Sequence, residues 1–176
     1  MKTLDLEKYL DDLLFSNDFQ DVSLNGLQVF GKEDITSCAF AVTASLNVIE
    51  KAKELGVDAL LVHHGILLKG KDMRVVGTMQ KKMKTLLTHG ISLFGYHLPL
   101  DACQNYGNNW PCAKILGFED LVPFGKYQNG FLGVEGSFEP MLVSNLEQKL
   151  KKLYGTQPLV VLGGKETVSS CAIVSG

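Results

Sequence analysis

From Ser37 to Asp101 short apolar runs alternate with segments of helical periodicity, and few topologies accommodate that order. "SCAFAVTA" is a compact run of small and β-compatible residues. "SLNVIEKAKELG" follows, with Leu46, Ile49 and Ala52 periodic, Ser45 placed as an N-cap and Gly56 as the stop. "DALLVHHG" is a second apolar run, "TMQKKMKTLLTHG" is a helix with Thr78 as its expected cap and Gly90 beyond its end, and "ISLFGYHLPLD" opens as a third strand. The order is β-α-β-α-β. Strands joined by helices of this length form a mostly parallel sheet flanked by helices, with right-handed crossovers. The fold class expected is therefore α/β.

The flanking segments extend this unit. "LDLEKYLDDLL" carries Leu6, Leu10, Leu13 and Leu14 at helical spacing, and a short extended piece is expected at Leu27 to Phe30. Towards the other end, "FLGVEGSFEP", "VSNLEQKLKKLYG" and "PLVVLGG" read as strand, helix and strand of a second α/β lobe. One α/β lobe over 1–125 and the first part of a second lobe over 126–176 are expected.

In a parallel sheet, ligands collect beyond the carboxyl ends of the strands. His63 and His64 end one expected strand, while His97 and Asp101 stand just past the end of the next. Three of the four histidines and one aspartate thus fall at one edge. The adjacent pair needs both rings to approach one site, and Gly65 is expected to supply the unusual torsions for that. Imidazole with carboxylate, and no C-x-x-C pair, suits zinc, iron or manganese. His89 sits in the last turn of a helix, where a cation meets the negative end of the dipole. Lys69 and Lys71 read as an exposed loop, although they stand where they could position an anionic substrate.

Other chemistries are poorly supported. There is no G-x-S-x-G elbow, P-loop or G-x-G-x-x-G fingerprint, and "LGGKETVSS" is a glycine turn between strands. The four cysteines, Cys38, Cys103, Cys112 and Cys171, lack zinc-finger spacing and read as reduced thiols. Trp110 and Tyr106 read as packing rather than as a base-stacking platform. A net charge of −2 without a block of basic residues leaves no nucleic-acid footprint, and Lys81, Lys82 and Lys84 read as a solvated helix face. No apolar run approaches membrane-spanning length, and acids interrupt the N-terminal "MKTLDLEKYLDDLL". A cytoplasmic protein without membrane or nucleic-acid partners is expected.

"NGLQVFGKE", "VHHGILLKG", "YHLPLDA" followed by "GNN", and "LVPFG" occur in the order and nearly the spacing of the dinuclear-metal-centre proteins. The chain resembles this family, the Ngg-interacting-factor-like proteins also named GTP cyclohydrolase 1 type 2 homologues, and within it the YbgI branch. Looser likeness through "GVEGSFEP" and "PLVVLGGKETVSSCAIVSG" extends the resemblance over essentially the whole chain.

The resemblance implies two interlinked α/β lobes in a toroidal homohexamer, with up to two divalent metals per protomer facing an internal cavity. It places ligands at His63, His64 and Asp101, with His97 as a further ligand or as the catalytic proton carrier. The implied activity is metal-assisted hydrolysis of a small nucleotide-like substrate such as GTP. The alternative is a non-catalytic metal-binding scaffold or interaction module. The family completes its two-metal site with a later glutamate and histidine, and neither residue type occurs after Glu166 here. An incomplete second lobe and a partly furnished centre are therefore expected.

Overall fold

The computed structural model describes residues 1–128 and 130–175. The chain separates into two compact units, Met1–Leu100 and Asp101–Gly176. The division expected after Gly125 falls inside a strand, Glu119–Tyr127, whereas the observed division comes earlier in the chain.

The first unit contains helix α1 (Thr3–Leu14), strand β1 (Gly26–Val29), strand β2 (Cys38–Thr43), helix α2 (Leu46–Leu55), strand β3 (Ala59–His64), helix α3 (Gly77–Thr88) and strand β4 (Ser92–Gly95). Its sheet has the order β1-β4-β3-β2. Strands β2, β3 and β4 run parallel as expected, and β1 adds an antiparallel edge beside β4. Leu60 and Val62 from β3 and Leu93 from β4 meet Ile49 and Ala52 of α2 and Leu86 of α3. Each fully buried leucine or isoleucine here contributes on the order of 2 kcal/mol of transfer free energy.

Local signals explain the helix boundaries. The Ser45 hydroxyl accepts a hydrogen bond from the Val48 N–H at 3.2 Å, and Gly56 closes α2 with φ 65°, a left-handed conformation that glycine adopts without penalty. The start of α3 differs from expectation. The helix already includes Gly77, its N-cap is Val76, and no side chain caps it, so Thr78 lies inside the first turn. His89 stands at the C-cap, and its backbone N–H donates to Thr85.

The short helix α4 (Leu98–Ala102) runs across the division, and the second unit then contains helix α5 (Asn109–Leu116), strand β5 (Glu119–Tyr127), strand β6 (Gly130–Leu142), helix α6 (Val143–Tyr154) and strand β7 (Thr167–Ile173). The sheet is antiparallel with β6 in the middle. Trp110, Cys112, Ala113 and Leu116 of α5 pack with Phe118, Val134 and Phe138 into a separate core, where the rings of Phe118 and Phe138 stack at 4.7 Å. Leu146, Leu150 and Leu153 of α6 flank it.

Two sequence expectations fail in this unit. The tract Leu159–Leu162 is not a strand, and Leu159, Val161 and Leu162 are strongly exposed. Its apolar composition suits a strand, but β6 already pairs with β5 on one side and β7 on the other, leaving no inner ladder position. Tyr106 is also exposed, in the turn ahead of α5, whereas Trp110 is buried as expected. None of the described cysteines forms a disulfide.

Candidate metal centre

Strands β3 and β4 are parallel, so their carboxyl ends lie on the same edge of the sheet. Val62 is registered with Gly95, and the Tyr96 N–H donates to the Val62 carbonyl at 2.9 Å. This carries His63 and His64 beside the segment leading to His97. The three rings gather there: centroids are 4.5 Å apart for His63 and His64, 4.9 Å for His63 and His97, and 5.7 Å for His64 and His97. Among the described residues, His63, His64 and His97 form a group whose potential ligand nitrogens all lie within 4.8 Å of one another. Such a cluster can hold a metal ion, since nitrogens around one tetrahedral ion at ordinary bond lengths stand roughly 3–4 Å apart.

The ring hydrogens are directed by neighbouring groups. His63 Nδ1 lies 3.1 Å from the Tyr96 carbonyl, which only accepts, so Nδ1 donates, and in the neutral ring Nε2 carries the lone pair. Tyr96 is itself anchored, its hydroxyl donating to Asp11 Oδ1 at 3.1 Å, and burial followed by the Asp11 charge pushes the phenol above its ordinary range. His97 Nδ1 lies 2.9 Å from Asp21 Oδ1, again facing an acceptor. His64 Nδ1 meets the Thr43 hydroxyl at 2.9 Å, a partner able to donate or accept. All three Nδ1 atoms thus have partners on the first unit.

The Asp21 carboxylate is buried. It also accepts from the Ser23 N–H at 3.0 Å, the Asn25 side-chain amide at 3.1 Å and the Leu98 N–H at 2.9 Å. Burial alone would raise its pKa, but bonds from Ser23, His97, Leu98 and Asn25 together hold it below the ordinary carboxylate value. Asn25 completes the frame by accepting the His97 N–H at 2.8 Å.

Gly65 has a different role from the one expected. Its φ is not in the left-handed region, and both histidines remain in β3. The glycine is required because a Cβ there would run into the Gln28 side-chain amide, and one on Gly95 would crowd the same amide. Gln28 uses this space to accept from the Ile66 and Leu67 N–H groups at 2.8 and 3.1 Å and to donate to the Leu24 carbonyl at 2.7 Å. It therefore ties β1 to the turn that follows the histidine pair.

Asp101 is described with the second unit. It is buried, and its Oδ1 accepts from Asn108 Nδ2 at 2.7 Å and from the Ser175 hydroxyl at 2.6 Å. Lys69 and Lys71 are exposed, in agreement with the loop reading. Sequence reasoning missed Asp21, Asn25 and Thr43. Only the richness of polar residues in "DFQDVSLNG" pointed to that turn, and nothing in it specified contact with a histidine 76 residues later. No described helix is long and apolar enough to cross a membrane.

Comparison with known proteins gives this arrangement a lineage. A protein from Chlamydia trachomatis serovar D named GTP cyclohydrolase 1 type 2 homolog is 44% identical over 178 residues, a match covering 100% of this chain and 70% of that protein. The crystal structure of TTHA1606 from Thermus thermophilus is 41% identical with a TM-score of 0.92, covering 100% of this chain and 71% of that one. The structure of protein YbgI, described as of unknown function, is 35% identical with a TM-score of 0.89, covering 98% and 68%. The family model for Duf34/NIF3 (NGG1p interacting factor 3) matches residues 1–176, and the chain belongs to that family.

Proposed function

We propose that the chain binds a divalent metal through His63, His64 and His97, and that the centre serves metal-assisted hydrolysis of a nucleotide-like substrate. The observation that carries this reading is the convergence of three imidazoles whose Nδ1 atoms are engaged elsewhere. Neutral imidazole is a good ligand for zinc, iron and manganese, and three protein ligands leave a coordination position open. Asp101 is included as a further ligand on the strength of the "YHLPLDA" motif, and with it the proposal extends to two ions per protomer. When bound, such an ion supplies Lewis acidity and activates water. The substrate class is suggested by the relatives' name, GTP cyclohydrolase 1 type 2 homolog.

The protein's own groups would hold and orient. Tyr96 and Thr43 fix the rings of the pair, and His64 is the solvent-exposed member of the cluster. Where His97 lies outside the coordination sphere, its role is that of a proton carrier. A second reading is a non-catalytic metal-binding interaction module, favoured by the family description as an interacting factor.

The test is elemental metal content of gently purified parent beside His63→Ala and His64→Ala. One to two equivalents in the parent, with loss in both variants, is the expected result. A parent that takes up no zinc, iron or manganese on incubation would overturn the proposal. Nucleotide hydrolysis abolished by chelator and by His63→Ala supports the enzyme, whereas partner binding indifferent to chelator supports the interaction module.

A further inference from the structure

On the reading of the cluster as a hydrolytic centre, on which this inference rests, we propose that Lys69 and Lys71 bind the phosphate chain of the nucleotide-like substrate. The pair sets a preference for phosphorylated over unphosphorylated ligands.

Both lysines stand on a turn that the first unit holds in place. Beyond His64 the chain passes through Gly65 into the turn over 68–71, closed by the Lys71 N–H on the Leu68 carbonyl at 3.4 Å, with Gly70 in the left-handed region at φ 72°. The Leu24 N–H donates to the Leu67 carbonyl at 3.1 Å, the Lys69 N–H donates to the Val22 carbonyl at 2.7 Å, and Ser23 is bridged to Leu68. Gln28 holds the Ile66 and Leu67 N–H groups as well. Asp21, the neighbour of Val22, touches the His97 ring, which lies 4.9 Å from that of His63. The main chain at Lys69 is thus tied to the cluster twice, along the chain from His64 and across the ladder through Val22 to Asp21.

The charges of this turn face solvent without an acid to meet them. Both lysines are exposed, and a side chain added at Gly70 would meet nothing within 4 Å. Among the described residues neither ammonium has a carboxylate partner, whereas Lys2, Lys8, Lys32, Lys51 and Lys53 all do. The acid that follows, Asp72, is taken by Arg74, whose guanidinium meets both of its oxygens at 2.6 to 3.0 Å. Two unpaired cations on one turn are unusual for a chain of net charge −2, and an anionic ligand supplies the missing partner. An ammonium is a compact charge with three donors, which suits phosphate oxygens. A turn whose main chain is already pinned loses little further entropy on binding. The alternative role, a merely solvated loop, gives no preference among ligands.

The experiment measures binding of GTP, guanosine and inorganic tripolyphosphate to the full chain by calorimetry. Beside the parent stand Lys69→Gln with Lys71→Gln, and Lys81→Gln with Lys84→Gln, which removes the same charge from an exposed face of α3. The parent is expected to bind GTP more tightly than guanosine, and tripolyphosphate to displace GTP. Loss of the turn lysines is expected to weaken GTP binding about tenfold and to leave guanosine unchanged, while the α3 variant stays within about twofold of the parent. Added salt should weaken GTP binding to the parent more than to the turn variant. Equal losses in the two double variants, or equal losses for GTP and guanosine, would overturn the proposal. Zinc content of the same samples separates it from the metal reading. A parent that holds zinc yet binds GTP no more tightly than guanosine refutes the lysine pair alone, whereas a parent without zinc that keeps the lysine-dependent preference refutes the metal reading alone. A parent that neither takes up zinc nor binds GTP refutes both. Lys69→Gln and Lys71→Gln as single variants carry the test if the double variant does not fold, and GTP affinity unchanged in both overturns the proposal.

Discussion

At the scale of single residues, Asp58 shows how a buried charge is tolerated. Its carboxylate accepts from the Thr36 N–H and hydroxyl at 2.7 Å each and from the Ser37 N–H at 3.0 Å, and it pairs with Lys32. The Lys32 ammonium and these donors hold it well below the usual carboxylate range. Because the folded pKa is lower than the unfolded one, the stabilisation is complete above the unfolded value near 3.9 and is lost as pH falls below it. Asp58→Asn is expected to cost about 2 kcal/mol at pH 7 by leaving donors unmatched. Its urea midpoint should approach that of the parent in acid. Parallel midpoints from pH 7 down to about pH 3 would refute this account.

At the scale of elements, α2 is the simplest case because both its ends are legible in the sequence. Removing the cap with Ser45→Ala is expected to cost about 1 kcal/mol and to lower Tm by about 2–4 °C, with zinc uptake unchanged. A Tm equal to the parent's would mean that the 3.2 Å bond from Val48 contributes nothing. Strands β3 and β4 are legible for a related reason: burial along most of their length makes them continuous apolar runs, and "DALLVHHG" forms β3 with the histidine pair at its end. Where position along a strand determines the site, sequence suffices. It fails where the outcome depends on a distant partner. Leu159–Leu162 has strand composition without an inner neighbour to pair with, and Asp21 meets His97 only because the intervening sheet brings them together. The sequence marks Gly65 as necessary but suggests the wrong reason, since the Gln28 amide that fills its missing side chain lies far away along the chain.

At the scale of the whole molecule, apolar surface remains to be accounted for. Strand β2 is an edge of its sheet, and alternate residues share a face, so Phe40 and Val42 project together, 78% and 67% exposed. An edge strand with an apolar face is a ready template for association, and soluble proteins usually blunt such edges with lysine or proline. No charge stands within Cys38–Thr43, and a net charge of −2 offers little repulsion between copies. Leu159, Val161 and Leu162 add a second exposed apolar tract. We therefore expect a homo-oligomer, for which family resemblance implies a hexamer, as measured by light scattering coupled to size exclusion across a concentration series. Phe40→Lys with Val42→Lys should move the distribution towards smaller species while leaving the α2–β3 core intact, because neither side chain belongs to it. A parent that is monomeric at every concentration would remove association as the reason for these residues, and an unchanged assembly in the double variant would place the contact elsewhere than β2.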